Sequence, residues 1–254
     1  IGRANGILGT LTIPLIYRLV NRVTGRREPA MGAAAAVAFF PPLVKFAVSS
    51  GPYALGSVLF VFGTLQALRA LDRQGQGLPM AAAALLLCAD LRPEALACLL
   101  AAFFVVVGFT NHVRWTSLSP RTLILCTLLV VLMLLLPRTS GFVHGVQSVP
   151  AGTLLKVFHV RNLFLLPGIH QTLFAPRAVS WLAAIGALAL VFVYHQRPRS
   201  VVLLWLAAAV LGLGFTKILP GFATDHRYLY PFYVVQASLA GIAAAALAAF
   251  VAMT

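Results

Sequence analysis

Long apolar runs alternate with short polar connections along this chain. Runs at 4–20, 30–49, 53–71, 121–137, 178–195, 200–219 and 231–253 each hold close to the 20 apolar residues that a membrane-crossing helix needs. Their Leu, Ala, Val and Phe fall on every face rather than on one stripe, which suits a lipid-facing or fully buried helix. The stretch 80–110 differs. As one helix it would be about 46 Å long at 1.5 Å per residue, too long for a bilayer. It is interrupted by "CADLRPEA", in which Pro93 suits a first helical turn and Glu94 the positive helix end. The pattern therefore predicts a hairpin of two short helices, 79–90 and 93–110. The expected fold is all-α: a polytopic transmembrane helical bundle of about nine apolar helices, forming a single integral membrane domain over 1–254.

Composition agrees with the pattern. The chain is 61% hydrophobic and 9% charged, against roughly 25% charged residues in a soluble domain. Mean hydropathy is +0.95. The net charge of +14, from 19 Lys and Arg against 5 Asp and Glu, would suggest nucleic acid in a soluble protein. Here the basic residues sit mostly in short connections, where they set topology and meet anionic headgroups. No nucleic-acid-binding motif is present, and the expected partners are membrane lipids, not nucleic acid.

Arginines in "NRVTGRRE", "RALDRQ", "NHVRW" to Arg121 and "HQRPRS" fall on one side if 79–110 is a hairpin. The positive-inside bias makes that side cytoplasmic. The opposite, external side then holds the Asp90–Glu94 apex, the "TDHRY" segment and the long connection 138–177. Within that external loop, "TLLKVFHVRNLFLLPG" is apolar but punctuated by Lys156, His159 and Arg161, as in an interfacial helix or a loop covering helix ends.

Ionisable groups at membrane depth mark candidate chemistry. Arg92 sits at the apex of two short helices, which places it in a recess open to the outside. It either pairs with Asp90 or Glu94 to close the hairpin, or uses its planar fork to hold a phosphate. Arg227 follows Asp225 and His226 and precedes Tyr228. An interfacial anchor explains the tyrosines of this segment but leaves the acid without a purpose. Cys88, Cys98 and Cys126 lie in or beside apolar runs and read as small core residues. The histidines show no metal-ligand spacing, so no metal site is expected, and there is no phosphate-cradling glycine loop and no nucleophile elbow. The residues themselves point to an external cavity lined by Arg and Tyr, suited to an amphiphile with a phosphate head.

The order of motifs adds a resemblance. "NGILGTLTIPLIYRLVNRVTGRREPAMGAAAAVAFFP" is similar to the second and third membrane helices of glycosyltransferases of the membrane-embedded C-type class, which use polyprenyl-phosphate sugars. These include protein O-mannosyltransferase-like and aminoarabinose-transferase-like bacterial families. "SSGPYALGSVLFVFGTLQALRAL" resembles the helix that follows, "AAAALLLCADLRPEALACLLAAFFVVV" their Arg-Pro-Glu hairpin, and "HRYLYPFYVVQASLAGIAAAA" the Arg-Tyr-x-x-Pro that opens a late helix. The resemblance implies transfer of a sugar from a polyprenyl-phosphate carrier to a lipid, glycan or protein acceptor at the external, periplasmic face of a bacterial inner membrane. It implies that Arg92, with Arg227 and Tyr228, holds the carrier phosphate, supported by Asp90, Glu94, Asp225 and His226. It implies no cofactor in this chain and leaves a divalent metal open. The class takes its catalytic base from an acid in a first external loop. No acidic residue precedes Glu28, so either the base is expected upstream of Ile1, in a first helix and first external loop that this fragment lacks, or the protein is inactive; truncation is the favoured expectation. A transporter or flippase for a lipid phosphate or organic anion, and a noncatalytic membrane scaffold, are the alternative readings; an inverted repeat of the hairpin, which the transporter would favour, is not evident.

Overall fold

The computed structural model describes residues 2–41, 43–44, 53–72, 77–91, 177–194 and 230–253, with single helical positions at 124 and 128. Six helices are described: α1 (Gly2–Thr24), α2 (Arg27–Phe39), α3 (Tyr53–Asp72), α4 (Leu78–Leu91), α5 (Arg177–Phe192) and α6 (Tyr230–Met253). The described residues are all-helical, as the apolar pattern predicts. The expected helices at 93–110, 121–137 and 200–219, and the external loop 138–177, lie outside the described residues apart from positions 124 and 128 and residue 177, which opens α5.

The helix ends follow from local chemistry. α1 stops at Gly25, whose φ of 68° lies in the left-handed region that glycine enters without a Cβ penalty. Its N–H closes onto the Asn21 carbonyl at 2.8 Å. Arg26 is extended and α2 starts at Arg27, with Glu28 in its first turn, where negative charge suits the helix dipole. The run 30–49 predicts one long helix. The structure instead ends α2 at Phe39, after 13 residues, and Phe40 is extended at φ −72°, ψ 114°. The cause is Pro41: the residue before a proline is driven out of the helical region, and a second proline follows. The break is local: Pro41, Leu43 and Val44 are helical again, with the amides of Leu43 and Val44 both donating to the Phe40 carbonyl as in a first helical turn.

α6 is the hub, packing along α5 and α2, while α1 lies against α2 and α3, and α3 pairs with α4. Contacts fix the relative directions. The rings of Phe40 and Tyr233 meet edge-on at 6.0 Å, so α2 finishes where α6 begins. At the other end, the Arg26 guanidinium lies 5.9 Å from the centre of the Tyr194 ring, a cation–π contact joining the α1–α2 turn to the end of α5. α3 and α4 form a hairpin turned at Gly77, φ 97°. The Cys88 thiol near the end of α4 donates to the Gly56 carbonyl near the start of α3 at 3.2 Å.

Glycine makes the contacts around α6 close. Backbone meets backbone at Gly32 of α2 and Gly241 of α6, and Gly186 of α5 lies against the backbone of Leu239. Only residues without a Cβ allow this approach, the packing by which apolar helices associate where no hydrophobic drive separates them from their medium. Side chains distribute in an unusual way. Thr24, Ser57, Thr64, Gln66, Gln236 and Ser238 are buried, while Trp181, Ile185, Leu188 and Phe192 form an exposed stripe along α5. Leu247, Phe250 and Val251 do the same on α6, and Ile7 and Leu11 on α1. Several of the buried hydroxyls are satisfied inside their own helix: Thr24, Thr64 and Ser238 each donate to the carbonyl four residues earlier, at 2.7–2.8 Å. Among the described residues one helix, α6, is long and apolar enough to cross a membrane, over Tyr233–Ala252 with a mean hydropathy of 2.1. α1 is 23 residues long but carries Arg3, Arg18 and Arg22.

Candidate functional site

The end of the bundle where α2 finishes and α6 begins holds a cavity of about 390 Å³. Gly6, Gly9, Thr10, Thr12 and Ile13 of α1 form one wall, Val37, Ala38, Leu43 and Val44 a second, and Val234 of α6 closes it. α1 can line such a space because glycine and threonine, Gly6, Gly9, Thr10 and Thr12, interrupt the larger apolar residues of its first half, "NGILGTLTIP". A Cβ placed on Gly6 would meet no atom within 4 Å, so the space beside α1 there is open.

Two polar features stand out in this apolar wall. Thr12 is only 3% exposed, and its Oγ1 has no hydrogen-bond partner among the described residues. Thr10 takes the usual course for a helical threonine, donating to the Gly6 carbonyl at 2.8 Å. Its own carbonyl lacks its usual helical donor, because residue 14 is a proline inside α1 and has no N–H. The cavity wall thus carries one buried, unpaired hydroxyl, that of Thr12.

The opposite end is cationic. Arg22, Arg26 and Arg27 cluster at the α1–α2 turn, with Glu28 beside them. The side chains of Arg26 and Arg27 are exposed, and Arg26 is steered by Tyr194. On the hairpin, the Arg69 guanidinium reaches the Gln66 amide oxygen at 3.5 Å.

The residues singled out in the sequence fall at the margins of what is described. Asp90 belongs to α4 by its backbone, and its side chain lies outside the described residues. Arg92, Glu94, Asp225, His226, Arg227 and Tyr228 also lie outside them. α4 ends one residue before Arg92, and α6 begins two residues after Tyr228. Among the described residues no three His, Cys, Asp or Glu converge, so none of them offers a metal site. The Thr10–Thr12 cavity was not anticipated from the sequence. The signal was present as Pro14 following a glycine–threonine cluster, but a threonine in an apolar helix usually bonds its own backbone, and only the packed bundle shows that Thr12 does not. No protein-family model, no curated protein and no solved structure matches this chain.

Proposed function

We propose that this chain is the helical membrane domain of a glycosyltransferase that moves a sugar from a polyprenyl-phosphate carrier to a lipid, glycan or protein acceptor. It works at the external face of a membrane, and a bacterial inner membrane is the setting the motif resemblance implies. The observation that carries the reading is the polarity of the bundle. The arginine-rich α1–α2 turn occupies one end, and α6, directly preceded in the chain by "TDHRY", starts from the other. The positive-inside bias makes the arginine end cytoplasmic, which leaves the start of α6 outside. The joint between Val44 and Tyr53 is short, so α3 is read as starting outside as well, and its hairpin partner α4 as returning there just before Arg92. Both arginine motifs then belong to one face, as a shared phosphate requires. The exposed apolar stripes of α1, α5 and α6 support a hydrocarbon surrounding, since contiguous exposed patches of this kind mark membrane or partner surfaces.

In this reading Arg92 and Arg227 pair with the carrier phosphate and stabilise it as a leaving group while charge develops on it. Asp225 holds Arg227 in place, and Tyr228 supplies a hydroxyl. The test is binding of a polyprenyl phosphate to the full-length purified protein in detergent. Arg92→Ala and Arg227→Ala are expected to lose binding, and Arg92→Lys to weaken it by about 1–3 kcal/mol, because an ammonium cannot reproduce the bidentate grip. Arg199→Ala should bind as the parent does. Parent-like binding by both alanine variants would reduce these arginines to hairpin closure and interface anchor.

Topology has its own check. In a chain whose three native cysteines are replaced, a cysteine at Thr224 is expected to react with an impermeant thiol reagent in intact cells, and one at Gln196 to react only after permeabilisation. Labelling at Gln196 alone, or equal labelling at both, overturns the orientation.

A further inference from the structure

The face of α1 turned away from the rest of the bundle carries a pattern of its own. Along it Ile7, Leu11, Pro14, Arg18 and Arg22 follow one another at helical spacing. On a helix turning about 100° per residue they fall within about 80° of one another. Ile7, Leu11, Pro14 and Arg18 are exposed and Arg22 is half-buried. The opposite face, Ile16, Leu19, Val20 and Val23, is sealed in the core. Three apolar positions are thus followed, on one face and toward one end, by two guanidinium groups a turn apart. Arg26 and Arg27, both exposed, carry the charge on around the α1–α2 turn, where Glu28 is the only acid in the neighbouring sequence.

Arg18 makes this more than a charged helix end. It stands six residues before Thr24, about 9 Å back along the axis, on a face that in a membrane looks at lipid. No hydrogen bond or ion pair reaches it among the described residues. A lone arginine at hydrocarbon depth is expensive, and snorkelling carries its head toward the interface. There it comes beside Arg22, and like charges four residues apart on a helix repel. An anion between the two removes the repulsion, and phosphate is the anion whose oxygens match the guanidinium fork. The apolar positions on the same face call for a hydrocarbon chain on that phosphate. From Arg18 back to Ile7 is about 16 Å, close to one leaflet's share of a hydrocarbon core about 30 Å thick. The excess of arginine selects a head of net negative charge, since a zwitterionic head brings its own cation. We propose that this face of α1 binds one anionic phospholipid of the cytoplasmic leaflet, its phosphate held by Arg18 and Arg22 and an acyl chain lying along Pro14, Leu11 and Ile7. The site rests on the membrane setting and orientation proposed above and not on the carrier chemistry, since Arg92, Arg227 and Tyr228 take no part in it.

The experiment uses the full chain, delipidated in a nonionic detergent, and counts bound lipid by native mass spectrometry. The probes are phosphatidylglycerol and phosphatidylcholine with identical acyl chains. The parent is expected to hold one phosphatidylglycerol in preference to phosphatidylcholine. Arg18→Gln with Arg22→Gln should weaken phosphatidylglycerol binding about tenfold or more, the worth of a charge-assisted hydrogen bond, and abolish the preference. Arg69→Gln, which removes an arginine from the α3–α4 hairpin, should bind as the parent does. Phosphatidylglycerol should raise the thermal midpoint of the parent, as a ligand of the folded state does, and leave that of the double variant unmoved. Glycerol 3-phosphate, the head without chains, should not displace the lipid. Arg92→Ala should keep phosphatidylglycerol while losing polyprenyl phosphate, so this site and the carrier site fail separately. Equal binding of the two phospholipids by the parent, a parent-like preference in the double variant, an equal loss in Arg69→Gln, or displacement by glycerol 3-phosphate would each overturn the site.

Discussion

Gly241→Leu is expected to take the bundle apart. A Cβ at this position would lie 2.6 Å from the Cα of Ala33 and closer still to the Gly32 carbonyl group, distances that no side-chain rotation can relieve because the obstacle is backbone. Overpacking an ordinary core costs about 1–3 kcal/mol. Here α2 and α6 must separate as whole helices, which withdraws the cover from Ala30, Ala33, Ala237 and Ile242, all essentially sealed in the structure. A loss of about 3 kcal/mol or more is a large part of the 5–15 kcal/mol that holds a typical domain together. The measurement is the thermal midpoint in detergent, followed by circular dichroism. Gly186→Leu, which meets the backbone of Leu239, should behave in the same way. The control is Gly6→Leu, which meets nothing. A midpoint for Gly241→Leu as high as that of the control would mean that the helices do not approach as described.

The second large effect concerns the medium around the bundle. Ile185 and Leu188 lie in the exposed stripe of α5, and Leu188 is 58% exposed. On a protein surrounded by water, changing both to aspartate would be harmless or would improve solubility. On a helix surrounded by hydrocarbon, each acid near the middle costs about 2.5–3.5 kcal/mol of insertion free energy. The doubly substituted chain, Ile185→Asp with Leu188→Asp, is expected to be lost from the carbonate-resistant membrane fraction and to be degraded or aggregated. Recovery of this variant as a soluble monomer would remove the membrane reading altogether, and with it the function proposed above.

Helix positions were legible in the sequence to the extent that a single physical cause set them. The apolar runs at 53–71, 178–195 and 231–253 lie within one to three residues of α3, α5 and α6, and the first arm of the predicted hairpin, 79–90, is α4. These elements follow from composition alone. The run 4–20 fell short of α1 at its far end because the helix continues through Asn21 and Arg22 until Gly25 turns it. The run 30–49 hid a break for the opposite reason: hydropathy continues past Phe40, but the helix stops there, ahead of Pro41, and helical backbone resumes at Pro41. The candidate site was legible only as motifs. "LRPEA" and "TDHRY" stand out because they are ionisable in an apolar chain, a property of the residues themselves. Thr12 does not stand out. Its significance depends on Val37, Leu43 and Val234, which are brought to it from other helices, and on what its hydroxyl fails to meet. The same holds for Gly32 and Gly241, which are ordinary glycines until the fold sets them face to face.

The hydroxyls that bond within their own helices bear on how such a protein is made. Thr24, Thr64 and Ser238 each have their hydrogen bond before any neighbour arrives. In hydrocarbon an unmet polar group costs several kcal/mol, so a helix that depended on a neighbour for these bonds could not wait there alone. α3 and α6 carry no such debt at Thr64 and Ser238. In a hydrocarbon setting each would have these particular bonds already made before it met a neighbour, whereas the Ser57 hydroxyl of α3 stays unmet among the described residues even in the packed bundle. α6, which follows α1 to α5 in the chain, then places no polar demand through Ser238 on the helices made before it.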